Sequence, residues 1–220
     1  LKVIGRAGVG VDNVDVKAAT RRGILVMNTP SANIISAAEH TMAMMLSLAR
    51  NIVWADASLK KGEWKRSKFT GIELNGKTLG IVGLGRVGGE VAKRAKSFQM
   101  KLIGYDPYIP PEVAVKLGVR TMSIEQLVEE ADIITVHAAL TPTTHHLLSR
   151  ELIAKMKPNA LIINVARGEL IDEDALYDAL HEKRIAGAAL DVYEHEPPTG
   201  SKLLTLDNAV LTPHLGASTK

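Results

Sequence analysis

The chain has 220 residues, 46% hydrophobic and 23% charged, which fits one large domain or one domain plus part of another and excludes a disordered, fibrous or low-complexity protein. Lys and Arg number 27 against 24 Asp and Glu, and the formal charge of +3 is spread along the chain, so no nucleic-acid partner is expected. Cysteine is absent, which removes disulfides, thiolate metal sites and cysteine nucleophiles, and makes a reducing compartment, the cytoplasm, the expected location.

The chain opens into Leu1-Lys2-Val3-Ile4, a strand pattern without the layout of a signal peptide, and its natural start is expected upstream. Residues 1–30 read as a strand from Val3 to Arg6, a short helix capped by Asp12 and a strand from Ile24 to Met27, ending at Pro30: the tail of an earlier domain. One long helical stretch from about Ser36 to Gly62 then carries the chain onward, and its Met42, Met44 and Met45 are read as core or subunit-interface packing. An exposed Met-rich helix near residues 42–46 would fit a homodimer interface, whereas the apolar window from Met42 to Leu48 is far too short to cross a bilayer.

Beyond this point strand-length apolar runs alternate with helical periodicity. The strands are Leu79 to Val82, Lys101 to Tyr105, Ile133 to His137, Leu161 to Val165, Ala186 to Leu190 and Ala209 to Thr212. Between them, Arg86 to Phe98, Ile124 to Ala131 and Glu173 to Lys183 read as helices, with Ser123 and Gln126 as a capping box and Asp172 as an N-cap. Such alternation predicts an α/β fold, a doubly wound parallel sheet covered by helices on both faces.

The strand Leu79-Gly80-Ile81-Val82 runs into Gly83-Leu84-Gly85-Arg86-Val87-Gly88, and a helix follows at once. Gly83 suits a tight turn, Gly85 lets a pyrophosphate approach the backbone and Gly88 lets the helix pack against the strand, with helix N–H groups facing the phosphates. The next strand ends at Asp106, 18 residues past Gly88, where an acid is expected to accept hydrogen bonds from the adenosine ribose. Its charge would repel the extra phosphate of NADP, so NAD is the expected cofactor.

Hydride chemistry needs a proton partner, for which histidine is suited near neutral pH. Of the seven histidines, His40 reads as structural and His145, His146, His181 and His195 as exposed, which leaves His137 and His214, both following strands. His214 sits among small residues, Thr212-Pro213-His214-Leu215-Gly216-Ala217-Ser218, with room for a ring beside the imidazole. Glu196 follows the strand ending at Asp191 and is placed to hold one imidazole nitrogen, fixing the tautomer and stabilising the imidazolium. Arg167, after a buried strand, offers a two-pronged grip on a carboxylate.

These motifs resemble the D-isomer-specific 2-hydroxyacid dehydrogenases, most closely the phosphoglycerate dehydrogenase branch of serine biosynthesis. The resemblance rests on residues 5–15, the glycine turn, Val165-Ala166-Arg167-Gly168, Ala188-Ala189-Leu190-Asp191-Val192 with Glu196-Pro197, and Pro213-His214-Leu215-Gly216-Ala217-Ser218-Thr219. It implies catalytic roles for Arg167, Glu196 and His214. It implies cofactor contacts at Arg86 and Val87 beside the pyrophosphate, Asp106 at the ribose, Val9 towards the nicotinamide, and Ala138 and Val165 along the groove, with Asp191, His214, Leu215, Gly216 and Ala217 completing the nicotinamide pocket. The substrate carboxylate falls to the loop from Arg6 through Gly8 to Gly10, together with Arg167; no metal is implied. One departure is His137-Ala138-Ala139, where relatives usually carry Thr-Pro after the His, which would loosen the adenine side.

The resemblance divides the chain into a remnant of a flavodoxin-like substrate domain (1–30), a dinucleotide-binding domain (31–212) and a catalytic loop turning back towards the substrate domain (213–220). It implies a homodimer or higher homo-oligomer, and NAD-dependent oxidation of D-3-phosphoglycerate by the complete protein. As a truncated central portion, the chain alone is expected to bind NAD and turn over poorly. The alternatives are another 2-hydroxyacid reductase, acting on glyoxylate, hydroxypyruvate or lactate, and an NAD-sensing corepressor-like scaffold, since fold alone does not fix function.

Overall fold

A computed structural model describes every residue except residue 12. The expected helix cap at Asp12 thus lies outside the described residues, and the helix that follows, α1 (Val16–Arg21), is capped instead by Asp15, whose carboxylate accepts the Ala18 N–H at 2.7 Å. This helix joins two parallel strands, β1 (Val3–Arg6) and β2 (Leu25–Asn28), which form a small sheet of their own.

The long helix expected over 36–62 is two helices. α2 (Ile34–Ala49) and α3 (Ile52–Lys60) are separated at Asn51, whose left-handed φ of 54° ends the first helix and redirects the chain. Ala38, Thr41, Met42, Met45, Leu48 and Ala49 recur at helical spacing on one face of α2 and are buried. The methionines are therefore core residues, and the expectation that 42–46 are exposed is corrected: Met45 is wholly buried, among Leu79, Ile81, Ile133 and Ile163.

The main sheet is wholly parallel, in the order β5-β4-β3-β6-β7-β8-β9. Its strands are β3 (Thr78–Val82), β4 (Lys101–Tyr105), β5 (Arg120–Thr121), β6 (Ile133–Val136), β7 (Leu161–Asn164), β8 (Gly187–Leu190) and β9 (Ala209–Leu211). The helices α4 (Arg86–Ser97), α5 (Pro111–Leu117), α6 (Ile124–Glu130), α7 (Arg150–Ala154) and α8 (Glu173–His181) connect them. In β6, β7 and β8 every residue is buried, as expected for central strands covered on both faces. Successive side chains go to opposite layers: Ile134 and Ile162 pack with α6, α7 and α8, while Ile133, Leu161 and Ile163 pack with α2 and α4.

Most boundaries fall within a residue or two of the sequence reading, including the Ser123–Gln126 capping box and the Asp172 cap, which accepts the Ala175 N–H at 2.9 Å. The sequence reading missed α5, β5 and α7, each seven residues or fewer, too short to establish a period. Because β3 pairs with both β4 and β6, the chain runs outward in one direction from β3, then crosses to β6 and runs out in the other. The carboxyl ends of β3 and β6 thus form a topological switch point, where open α/β sheets leave a crevice.

Candidate functional site

At that crevice the three glycines of the turn have three separate reasons. Gly83 has φ of 92°, and a Cβ there would meet the Ala138 backbone nitrogen at 2.6 Å, because the turn closes against the end of β6. A Cβ on Gly88 would lie 2.0 Å from the Gly83 carbonyl oxygen, so α4 presses directly on the turn. Gly85, by contrast, caps α4 with nothing within 4 Å of its Cβ position. The space above it is open, and the first N–H groups of α4, at Arg86 and Val87, have no partner within the helix.

Asp106 is fixed beside the turn: one carboxylate oxygen accepts the Leu84 N–H at 2.8 Å and the other the Tyr108 N–H at 2.9 Å. The Arg86 guanidinium does not reach over the turn; its Nη1 donates to the Pro30 carbonyl at 2.8 Å, so this residue's offering to a phosphate is its backbone N–H. The open space above Gly85 makes Gly85→Ala diagnostic. The substitution should leave thermal stability unchanged, since φ of −66° suits any residue, and weaken NADH binding about tenfold or more by fluorescence titration. Unaltered affinity would place the dinucleotide elsewhere.

Four strands along the same edge from the glycine turn, the loop after β9 brings His214 to Glu196. Imidazole Nδ1 lies 2.7 Å from Glu196 Oε2, with the two side chains 47% and 38% exposed, half in the protein and half open to the cleft. A carboxylate only accepts, so Nδ1 carries the hydrogen and Nε2 is left as the basic nitrogen. The second Glu196 oxygen accepts the Tyr193 N–H at 3.2 Å.

His214 has a left-handed φ of 54°, uncommon outside glycine but tolerated by histidine better than by most residues. Asp191 holds it there. Fully buried, it accepts the Leu215 N–H at 2.7 Å, the Gly216 N–H at 2.8 Å and the Thr212 hydroxyl, while its backbone carbonyl accepts the His214 N–H at 2.9 Å. Asp191 therefore shapes the expected nicotinamide pocket from beneath, through the loop, rather than by an exposed surface. Gly216 is pressed against Val165, where a Cβ would come within 2.9 Å of the valine Cγ1, so two expected pocket residues meet. Leu215 and Ala217 are on the same loop, and Leu215 is exposed.

Arg167 follows β7 in extended conformation, with Nη1 donating to the Ala166 carbonyl at 2.6 Å. The turn that presents it is held by buried Asn164, whose side chain accepts the Ala166 N–H at 3.0 Å and donates to the Arg167 carbonyl at 2.8 Å. Near the small sheet, Asn28 donates to the Val9 carbonyl at 2.8 Å and the Gly8 N–H donates to Thr29 Oγ1 at 2.8 Å. The Gly8 N–H is thus engaged with Thr29 in this structure, and the loop from Arg6 to Gly10 is tied to the end of β2. Arg6 Nε is one of two buried side-chain polar atoms without a hydrogen-bond partner among the described residues.

Of the two histidines left open by the sequence, the partly buried His137 is the weaker base: desolvation pushes its pKa down to about 4, and its Nε2 lies 2.9 Å from Thr135 Oγ1. So weak a base is a neutral ring near pH 7. The sequence reading missed Tyr193, whose hydroxyl donates to the carbonyls of Leu190 at 3.3 Å and Thr212 at 3.0 Å, tying the β8 and β9 loops together. Burial, followed by the charges of Asp191, Glu173 and Glu196, pushes its pKa up to about 12, so it remains a donor. Among the described residues no group of three or more His, Asp or Glu is placed to hold a metal.

Residues 42–216 match the family described as D-isomer specific 2-hydroxyacid dehydrogenase, NAD binding domain. The chain belongs to this family. It is 62% identical, over its whole length, to a D-3-phosphoglycerate dehydrogenase of Methanocaldococcus jannaschii and 54% identical to that of Bacillus subtilis, in each case covering 42% of the relative. A D-lactate dehydrogenase of Aquifex aeolicus, solved with NAD and lactic acid, superposes with a TM-score of 0.89 at 34% identity, covering all of this chain and 71% of that one. The chain spans about two fifths of the length of the curated family members it matches.

Proposed function

We propose that this chain is the cofactor-binding and catalytic portion of an NAD-dependent D-3-phosphoglycerate dehydrogenase, which oxidises the C2 hydroxyl to a ketone. The observation that carries the reading is the 2.7 Å His214–Glu196 pair standing on the same sheet edge as the open glycine turn. Five strand spacings of about 4.8 Å separate β4 from β9, an edge of about 24 Å on which a dinucleotide can lie extended. The turn fits such a group, with open space above Gly85, N–H groups at Arg86 and Val87 for the pyrophosphate, and Asp106 beside it for the ribose.

When bound, NAD supplies the hydride acceptor. His214 Nε2 takes the proton of the substrate hydroxyl as the ketone forms, and Glu196 stabilises the resulting imidazolium through Nδ1–H. Arg167 grips the carboxylate and polarises the adjacent oxygen, and Arg6, with its free buried Nε, stands in the loop proposed to meet the same carboxylate. Val9, Ala138, Val165 and the 214–217 loop line the groove between the two ends.

Activity of the complete protein with NAD and 3-phosphoglycerate tests the reading, and a panel including lactate, glyoxylate and hydroxypyruvate separates it from other family activities. Cofactor choice is tested by Asp106→Ala, which is expected to narrow the preference for NADH over NADPH about tenfold or more; an unaltered ratio would remove Asp106 from the ribose site. A cytoplasmic homodimer completes the proposal. Its interface is placed not on the α2 methionines but on exposed Ile52, Val53, Leu59 and Trp64, the last 83% exposed, and light scattering should give twice the chain mass.

A further inference from the structure

Beneath the His214 loop lies a residue that the sequence reading set aside as structural. His40, two turns into α2, places Nε2 3.2 Å from Asp191 Oδ1 and 3.3 Å from Thr212 Oγ1, across more than 150 residues of sequence. The Thr212 hydroxyl gives its own hydrogen to Asp191 and so can only accept from His40; Nε2 therefore carries a hydrogen, and the bonds run from His40 to Thr212 to Asp191. Asp191 is completely buried and holds the Leu215 and Gly216 N–H groups, the two residues after His214.

A buried carboxylate needs every available donor, and the side chain supplying one fixes its orientation. α2 is a firm base for that donor. Met45 and Leu48 are packed in the core with Ile163, Ala189 and Val210, and Ser36, one turn before His40, lies 3.1 Å from Thr219 at the far end of the loop. The loop is thus tied to α2 at both ends.

We infer that His40 is a positioning residue for His214: by donating from α2 to the Thr212 hydroxyl, which in turn donates to the buried Asp191 carboxylate, it holds the Leu215–Gly216 backbone, and with it the left-handed conformation at His214. The inference rests on the proposed role of His214 for its consequence in turnover, but not for its structural readout. Two variants separate the hydrogen bond from packing. His40→Leu fills the space without a donor, and His40→Gln returns an N–H near the Nε2 position.

Amide hydrogen exchange in the protein, followed by NMR, should show protection at Leu215 and Gly216 falling about tenfold or more in His40→Leu, with β3 and α4 unchanged and His40→Gln largely restored. In the complete protein, kcat should fall about tenfold in His40→Leu and recover in His40→Gln, with KM and NADH affinity within a factor of two. Full protection in His40→Leu overturns the inference whatever the activity, and so does equal loss in both variants. Protection lost in His40→Leu and restored in His40→Gln, in a protein that oxidises no 2-hydroxy acid, supports the inference and counts against the oxidoreductase reading.

Discussion

Replacing His214 by Gln is expected to lower kcat of the complete protein by about 10²-fold or more while leaving NADH affinity within a factor of two. The geometry separates the two effects. Glu196 engages Nδ1, so Nε2 is the nitrogen that meets the substrate, whereas the glycine turn and Asp106 stand at the other end of the sheet edge. Because His214 has φ of 54°, a second variant guards against a backbone explanation: His214→Asn tolerates that conformation and equally lacks the base. A comparable loss in both variants assigns the effect to the missing imidazole. Native kcat in either would remove His214 from the reaction.

Gly168→Ala should be the most damaging small substitution to stability. The added methyl would lie 1.9 Å from the Tyr193 carbonyl carbon, 2.2 Å from its oxygen and 2.3 Å from the Glu194 nitrogen, all backbone atoms with no side chain to swing away. The Arg167 turn and the segment leading to Glu196 are locked together at this point. Forcing them apart should destabilise the fold by about 3 kcal/mol, which for a chain of this size lowers Tm by roughly 6–12 °C in thermal denaturation. It should also misplace Glu196, so turnover falls further than stability alone explains. A Tm within a degree of native would mean that the two segments are not in contact as described.

The sheet was largely legible from the sequence because parallel strands buried on both faces write long runs of Ile, Leu and Val, as in Leu161-Ile162-Ile163. The helix break at Asn51 was not, since neither Gly nor Pro marks it and the apolar period resumes in α3. The exposure of the α2 methionines was misjudged for a related reason: periodicity shows that a helix has an apolar face, but not whether the sheet or solvent covers it. In the site, the glycine turn, Asp106 and the His214–Glu196 pair followed from strand-end position, whereas what supports them did not. Asn164 and Tyr193 act through hydrogen bonds to backbone, and His40 acts through the Thr212 hydroxyl on a buried carboxylate. Such partners are brought together by the fold, so no local spacing announces them.

A crystal structure of the protein with NADH bound would show whether the dinucleotide spans the sheet edge from the glycine turn to the His214 loop. The pyrophosphate is expected on the Arg86 and Val87 N–H groups above Gly85, the ribose hydroxyls on Asp106, and C4 of the nicotinamide on the cleft side of the loop, facing the region of His214 Nε2. A dinucleotide bound away from the glycine turn, or a nicotinamide ring directed away from His214, would contradict that arrangement.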